Sequence, residues 1–365
     1  MNFLIVRLGA LGDIIHAVPA AAALRAAFPA SRIDWLVDAK HRAMIDLVTV
    51  VDHAVVLERS SLSAWMEVAG RMRQVRYDAA IDLQGLLKSA LLARASGAPR
   101  VLGFSIWHLR EKTARPFYSE TDRDPGPDRS GARRFDEAIR EGGSPGAGGQ
   151  TDHVIYKNLG LLSALGVNDR AIRFPLAQVQ SPALAQVREL LGGVGPFALI
   201  NPGAAWPNKR WPAERFGEVA AFLRDVRGLP SVVLWGPGEQ GLAGAVVEAS
   251  GGAARVAPAT RLPDLLALSR AASLMISGDT GPLHIAAAAG TPTISLFGPT
   301  DPHRNGPWSP DDAAISRFGA CGCHYERRCR RQSWCLASIE MAEVTAAIQQ
   351  LLSAGVRFDL PRGGE

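Results

Sequence analysis

The chain has 365 residues, long enough for two domains of ordinary size, each with its own core. Hydrophobic residues make up 47%, and 40 Lys plus Arg against 35 Asp plus Glu leave a net charge of +5. Basicity this diffuse gives no case for nucleic acid but suits an anionic substrate or a negatively charged membrane surface. No run approaches the roughly 20 apolar residues of a membrane span.

The chain opens MNFLIVRLGALGDIIH, an apolar run, two glycines and an aspartate. Phe3–Leu8 reads as a strand and Asp13–Phe28 as a helix ended by Pro29. AVPAAAAL within it has signal-peptide composition, but Arg7 and Asp13 interrupt the pattern, so a mature cytoplasmic N-terminus is expected. Ile33–Val37 and Ala54–Leu57 are expected strands, Trp65–Val75 a helix, and Ala79–Gly85 a strand running into a turn. Leu86–Ala95 is helical again and Arg100–Phe104 a further strand. Strands alternating with helices at this spacing imply a parallel sheet covered on both faces.

Residues 119–150 are rich in Gly, Pro and charge and are expected to form a mobile surface loop, with a short helix around Phe135–Arg140. Periodicity returns at His153–Leu165. A second strand-to-glycine turn follows in FALINPGA (Phe197–Ala204), then apolar residues at helical spacing up to Gly228. Ser231–Gly236, Leu274–Ser277 and Pro292–Gly298 are expected strands; Leu262–Ala271 and Leu283–Ala289 are expected helices. The chain therefore divides into an N-terminal α/β domain, 1–180, a C-terminal one, 181–350, and a tail, 351–365. Two such domains would face each other across a cleft, strand ends pointing in.

Asp13 stands where a phosphate cradle would want backbone N–H groups. Leu11 and Ile14 occupy positions where a G-x-G-x-x-G fingerprint needs glycine, although Asp38 could serve as the ribose-binding acid of such a fold. Asp13 is then either a cap of the following helix or a carboxylate with chemical work. In the second half, Asp279, Thr280 and Gly281 sit at a strand-to-helix turn whose N–H groups suit a diphosphate, with His284 on the helix. Lys209, or Arg210 beside it, can neutralise a phosphate, and Glu239 can accept from two ribose hydroxyls. At three successive strand ends, these residues describe a nucleotide-diphosphate site. A carboxylate across from it can take the proton of an attacking sugar hydroxyl, a poor nucleophile without such help. Lys209 and the helix N-terminus would then stabilise the departing diphosphate.

LIVRLGALGDIIHAVPA (Leu4–Ala20) and GDTGPLHIAAAAGTPTISLFGPTDP (Gly278–Pro302) resemble the ADP-heptose:lipopolysaccharide heptosyltransferases of glycosyltransferase family 9. AIDLQGLLKSALLAR (Ala80–Arg94) and REKTARPFY (Arg110–Tyr118) look most like the heptosyltransferase I branch, which acts on Kdo-lipid A. The resemblance implies a GT-B fold of two Rossmann-like domains, no required metal, and inversion in one displacement. It implies Asp13 as general base, Lys209 on the phosphates, Glu239 near the nucleoside, and Asp279, Thr280, Gly281, His284 and Gly12 on the donor, ADP-heptose. Arg110, Lys112 and Arg115 would face an anionic lipid-linked saccharide acceptor, or form a solvated basic face. The implied setting is peripheral, on the inner face of the cytoplasmic membrane.

Cys321, Cys323, Cys329 and Cys335 cluster in ACGCHYERRCRRQSWC. They could ligate structural zinc or iron, although C-x-C is tighter than the usual zinc spacing; reduced, unligated thiols are the alternative. Two other functions stay open on the residues alone. One is a different enzyme on a similar scaffold, such as a nucleotide-sugar epimerase or a nicotinamide-dependent oxidoreductase. The other is a non-catalytic nucleotide-sugar or lipid-surface binding protein.

Overall fold

The computed structural model describes residues 1–59, 61–122 and 153–353. Among them the chain divides into two compact units, one up to Ala177 and one from Gln178 onward.

The first unit is built on β1 (Asn2–Val6), β2 (Arg32–Asp38), β3 (His53–Leu57), β4 (Ala79–Asp82), β5 (Arg100–Gly103) and β6 (Glu120–Thr121). They form one sheet in the order β3-β2-β1-β4-β5-β6, with every pair parallel. The second unit has β7 (Ala198–Asn201), β8 (Ser231–Val233), β9 (Ala254–Val256), β10 (Leu274–Gly278), β11 (Thr293–Phe297) and β12 (Ala313–Ser316). Its order, β12-β11-β10-β7-β8-β9, is also wholly parallel. Read from the first strand of each unit, the two orders are the same doubly wound pattern, the α/β class expected for GT-B.

Helices on both faces bury the central strands, so these read as continuous apolar runs instead of alternating ones, while the edge strands β3, β6, β9 and β12 stay partly exposed. Leu4, Ile5, Ala198, Leu199, Ile200, Met275, Ile276 and Ile294 are all fully buried. Each Leu or Ile so buried contributes about 1.5–3 kcal/mol relative to exposure. In this strand order the chain reverses direction across the sheet between β1 and β4, and again between β7 and β10. The loops leaving those strands form a crevice at the carboxyl edge of each sheet, where ligands of such folds bind.

Four differences from the sequence expectations stand out. The single helix expected over Asp13–Phe28 is two, Leu11–Ile15 and Val18–Ala27. Pro19 has no N–H to donate and its ring collides with the carbonyl four residues back, so the first helix stops and a new one starts with proline in its first turn. Part of the expected 119–150 loop is strand. Glu120 and Thr121 pair with β5, and both Glu120 oxygens accept from Arg100, at 2.7 and 2.8 Å. The rest of that loop, with the expected helix at Phe135–Arg140, lies outside the described residues. A helix at Gln240–Ala249, followed by β9, fills a stretch the sequence reading left blank, and β12 and a helix at Met341–Ser353 complete the second unit. The expected tail begins inside that last helix, and residues 354–365 lie outside the described ones.

Candidate functional site

In the second unit, the turns after β7 and β10 meet at the strand-order reversal, and Asp279 is their hub. It is 6% exposed, and its carboxylate is fully occupied. Oδ2 accepts from Lys209 Nζ at 2.5 Å and Thr300 Oγ1 at 2.7 Å. Oδ1 accepts from His284 Nε2 at 3.1 Å and Asn305 Nδ2 at 3.1 Å. Burial pushes the Asp279 carboxyl up, but the His284 hydrogen bond and the Lys209 charge outweigh it and hold it well below the usual carboxylate range. A carboxylate so saturated cannot act as a base. What it does in this structure is hold the Lys209 ammonium and the His284 ring in place.

Lys209 is held from three sides. Its ammonium also reaches the Asp279 carbonyl at 3.4 Å and lies 4.6 Å over the Trp206 ring. Its own carbonyl packs so closely on Gly278 that a Cβ there would stand 2.6 Å away. Glycine at 278 is what lets the 206–210 turn close onto β10.

Thr280 begins the helix Gly281–Ala288, but its side chain caps nothing there. Thr280 Oγ1 instead accepts from Asn201 Nδ2 at 3.0 Å, and Asn201 also donates to Ser277 Oγ at 3.0 Å and to the Gly203 carbonyl at 3.1 Å. Asn201 thus ties the β7 turn to the β10 turn. The helix that Gly281 opens puts the positive end of its dipole at this turn, with the Gly281 and Leu283 N–H groups in its first turn and none on Pro282.

Glu239 lies at the other flank. Its Oε1 accepts from Arg210 Nη2 at 3.2 Å and its Oε2 from the Gly236 N–H at 3.1 Å. Arg210 also donates to the Ala204 carbonyl at 2.9 Å, so it braces Glu239 and is not a second Lys209. A Cβ on Gly203 would stand 2.1 Å from Glu239 Oε2, so only glycine leaves that carboxylate its place.

In the first unit, Gly12 and Asp13 lie in the short helix Leu11–Ile15, after β1 and beside the β4 turn. Asp13 is not the cap: Ala10 holds that position, with no side-chain hydrogen bond. Asp13 Oδ2 is paired with Arg7 Nη2 at 2.6 Å, and its side chain is 24% exposed. Arg7 is itself buried, its Nη1 donating to the Leu83 carbonyl and its own carbonyl accepting from Trp35 Nε1 at 3.1 Å. Gln84 Oε1 takes the Leu8 N–H at 2.8 Å, locking the β1 turn to the β4 turn. Beneath, the fully buried Asp82 accepts from Tyr118 Oη, Ser89 Oγ and the Gln84 N–H, at 2.6, 2.8 and 2.8 Å.

Arg110 and Lys112 are exposed, while Arg115 is half-buried and donates to the Tyr118 carbonyl at 3.3 Å. Ile106 and Trp107, just before them, are 43% and 66% exposed.

Cys321 Sγ stands 3.3 Å from Cys323 Sγ, and all four cysteines are free thiols. Burial pushes the Cys323 thiol up to about 12, with help from its thiol neighbours Cys321 and Cys329. Among the described residues no group of three or more His, Cys, Asp or Glu is placed to hold a metal ion.

Sequence reasoning missed Asn201, Thr300, Asn305 and Arg7, the partners that aim the named residues. Their signal was position: Asn201 ends β7, Arg7 and Thr300 follow β1 and β11, and Asn305 closes the short helix Pro302–Asn305, all inside or beside the motifs already singled out.

The description glycosyltransferase family 9 (heptosyltransferase) matches residues 65–134 and 149–335. Lipopolysaccharide heptosyltransferase 1 of Pseudomonas aeruginosa is 28% identical over 91% of this chain and 88% of its own. Among solved structures, a family 9 glycosyl transferase from Veillonella parvula superposes with a TM-score of 0.75 at 24% identity, covering 97% of each chain. E. coli heptosyltransferase WaaC with ADP superposes with a TM-score of 0.70 at 22% identity, over 96% of this chain and 100% of that one. At these identities the superpositions speak to the fold.

Proposed function

The chain belongs to glycosyltransferase family 9, the heptosyltransferases, and on that footing we propose that it moves a heptose from ADP-L-glycero-D-manno-heptose to the Kdo/inner-core region of lipopolysaccharide. The observation that carries this reading is the Lys209–Asp279–His284 cluster, set at the strand-order reversal of the second unit where an anionic ligand belongs. The relative named lipopolysaccharide heptosyltransferase 1 supports the acceptor class, and the ADP in the WaaC structure supports the nucleotide.

In this reading the second unit holds the donor. The ammonium of Lys209 has three N–H groups; two point at Asp279, and the third is available to a phosphate oxygen. The helix N-terminus at Gly281 adds backbone donors, and Glu239 accepts from the ribose hydroxyls. The first unit supplies Asp13. As the acceptor oxygen bonds to the anomeric carbon, its proton passes to the Asp13 carboxylate. The bond from that carbon to the diphosphate oxygen breaks on the opposite side, and ADP leaves with the electron pair, inverting the centre. Arg7 fixes the direction of the Asp13 carboxylate, and Lys209 offsets charge growing on the leaving oxygen. An epimerase on a similar scaffold is the weaker reading, since the matching family is one of glycosyl transfer.

The acceptor side rests on Arg110, Lys112 and Arg115, and the protein works as a peripheral protein at the inner face of the cytoplasmic membrane. Exposed Ile106 and Trp107 beside two exposed cations support this, being the residue types that settle at an anionic lipid surface. Flotation with vesicles containing anionic lipid, lost in Trp107→Ala, tests it. No cofactor takes part in the transfer. The four cysteines are the place for a structural zinc or iron, and metal analysis of the purified protein reads it as one equivalent or none.

Transfer of heptose from ADP-heptose to Kdo₂-lipid A, followed by ADP release, tests the whole reading. Interconversion of the free nucleotide sugar without acceptor would replace it with an epimerase. Donor binding without turnover under any acceptor would leave a binding protein.

A further inference from the structure

Lys209 cannot hold a diphosphate alone, because its charge is already balanced by Asp279 at 2.5 Å. Arg210 is in the same position, paired with Glu239 at 3.2 Å. A nucleoside diphosphate carries more than one negative charge, so the crevice needs a cation whose charge is not already taken.

The cysteine-rich loop brings one. The Arg327 guanidinium lies over the ring of Trp206, Cζ 6.0 Å from its centroid, while Lys209 Nζ lies over the same ring at 4.6 Å. Among the described residues no carboxylate pairs with Arg327, although its neighbour Glu326 pairs with Arg330 at 3.3 Å. The backbone around Arg327 is fastened to the donor crevice from two sides. Asn208, 1% exposed and next to Lys209 in sequence, donates its amide to the Glu326 carbonyl at 2.9 Å. The Tyr325 N–H donates to the Pro299 carbonyl at 2.8 Å, one residue before the Thr300 that binds Asp279. Trp334 Nε1 donates to the Arg210 carbonyl at 2.7 Å, fixing the far end of the loop on the same turn. Tyr325 holds this course with φ +57°, a left-handed backbone that a bulky residue adopts only where its surroundings compel it. The Tyr325 side chain is itself 48% exposed, so it is the backbone of this stretch, and not a buried ring, that anchors the loop.

We infer that Arg327 is a second donor-binding cation, which clamps the diphosphate of a nucleoside-diphosphate sugar across Trp206 from Lys209. This rests on the donor assignment proposed above for the second unit. The cysteine-rich loop then has a purpose that needs no metal: it carries a guanidinium into the donor site and is held there by Asn208. A guanidinium suits the task, since its planar fork can take two phosphate oxygens at once.

The test is calorimetric titration of the full chain with ADP and, separately, with adenosine. The proteins compared are wild type, Arg327→Ala, Arg327→Lys and Lys209→Ala. Arg327 is exposed, so its variants should melt with the wild type. ADP affinity should fall roughly tenfold in Arg327→Ala, as expected for one charge-assisted contact, and recover in part in Arg327→Lys. Adenosine, which has no phosphate, should bind all four alike. Wild-type affinity for ADP in Arg327→Ala overturns the inference while leaving the donor site intact, provided that Lys209→Ala weakens ADP. An equal loss of adenosine and ADP in Arg327→Ala also overturns it, because the effect would then not be on phosphate. A wild type that binds no ADP overturns the donor reading itself.

Discussion

Lys209 Nζ and Asp279 Oδ2 lie 2.5 Å apart, although 70 residues separate them, and the carboxylate that joins them is almost wholly buried. Replacing Asp279 by Asn would leave a partly buried ammonium without its counter-charge, a change that typically costs about 3 kcal/mol. Asp279→Asn is expected to lower stability by that order at pH 7 in denaturant titration. The carboxyl of Asp279 is held below its ordinary value, so its contribution is present above pH 3.8 and is lost as pH falls further. The gap between wild type and variant should therefore narrow as the pH is lowered from about 5 to about 3. A gap that stays constant would remove the ion pair from the account.

Asp13 is held by Arg7 at 2.6 Å and is partly exposed. Asp13→Asn keeps the size and the hydrogen-bonding shape but cannot take a proton. It should lower kcat by about 10²–10⁴-fold, the usual worth of a positioned base. ADP affinity should stay within about twofold of wild type if Asp13 acts only on the acceptor proton. Equal turnover by the two proteins would remove the base assignment.

Gly203 makes room for Glu239: a methyl there would fall 2.1 Å from Oε2. Gly203→Ala should displace the carboxylate and raise the donor KM about tenfold, with kcat less affected. The double variant Gly203→Ala, Glu239→Ala should be no worse than Glu239→Ala alone, since both act through one side chain. Additive losses would mean that Gly203 matters for another reason.

Asp312 is buried between β11 and β12, where it accepts from the Thr293 hydroxyl at 2.7 Å and the Thr293 N–H at 2.9 Å. Burial, partly offset by these bonds, pushes its carboxyl up from 3.8 to about 7. The native state therefore binds the proton more tightly than the unfolded one. The stability this contributes is full below pH 3.8 and is lost as pH rises through about 7. Thermal melts of wild type and Asp312→Asn should thus shift in favour of the variant between pH 5 and pH 8. A difference independent of pH would mean that Asp312 is charged throughout.

Much of the candidate site was legible because its residues sit in short motifs with a mechanical meaning. Asp279, Thr280 and Gly281 end a strand and start a helix, and that transition is visible in LMISGDTGPLH without any structure. Glu239 was found by its place after SVVLWG, but not the helix that follows it. Gln240–Ala249 is small and apolar on most sides, so it has little periodicity to read. Arg210 was weighed as an alternative to Lys209, and nothing local separates two adjacent cations. The structure separates them by partner: Lys209 turns to Asp279 and Arg210 to Glu239.

By itself, the sequence determined the kind of fold and the strand ends at which chemistry would gather. Apolar runs closed by glycine turns and followed by helices can pack only as parallel crossovers, and such sheets bind ligands at their carboxyl edges. Only the tertiary structure decided which side chain meets which. Contacts such as Lys209 with Asp279, or Asn208 with Glu326, join turns far apart in the chain, and the strand order that brings them together has no local trace. That order follows from burying the central strands of a sheet on both faces at once, a property of the whole unit and not of any segment within it.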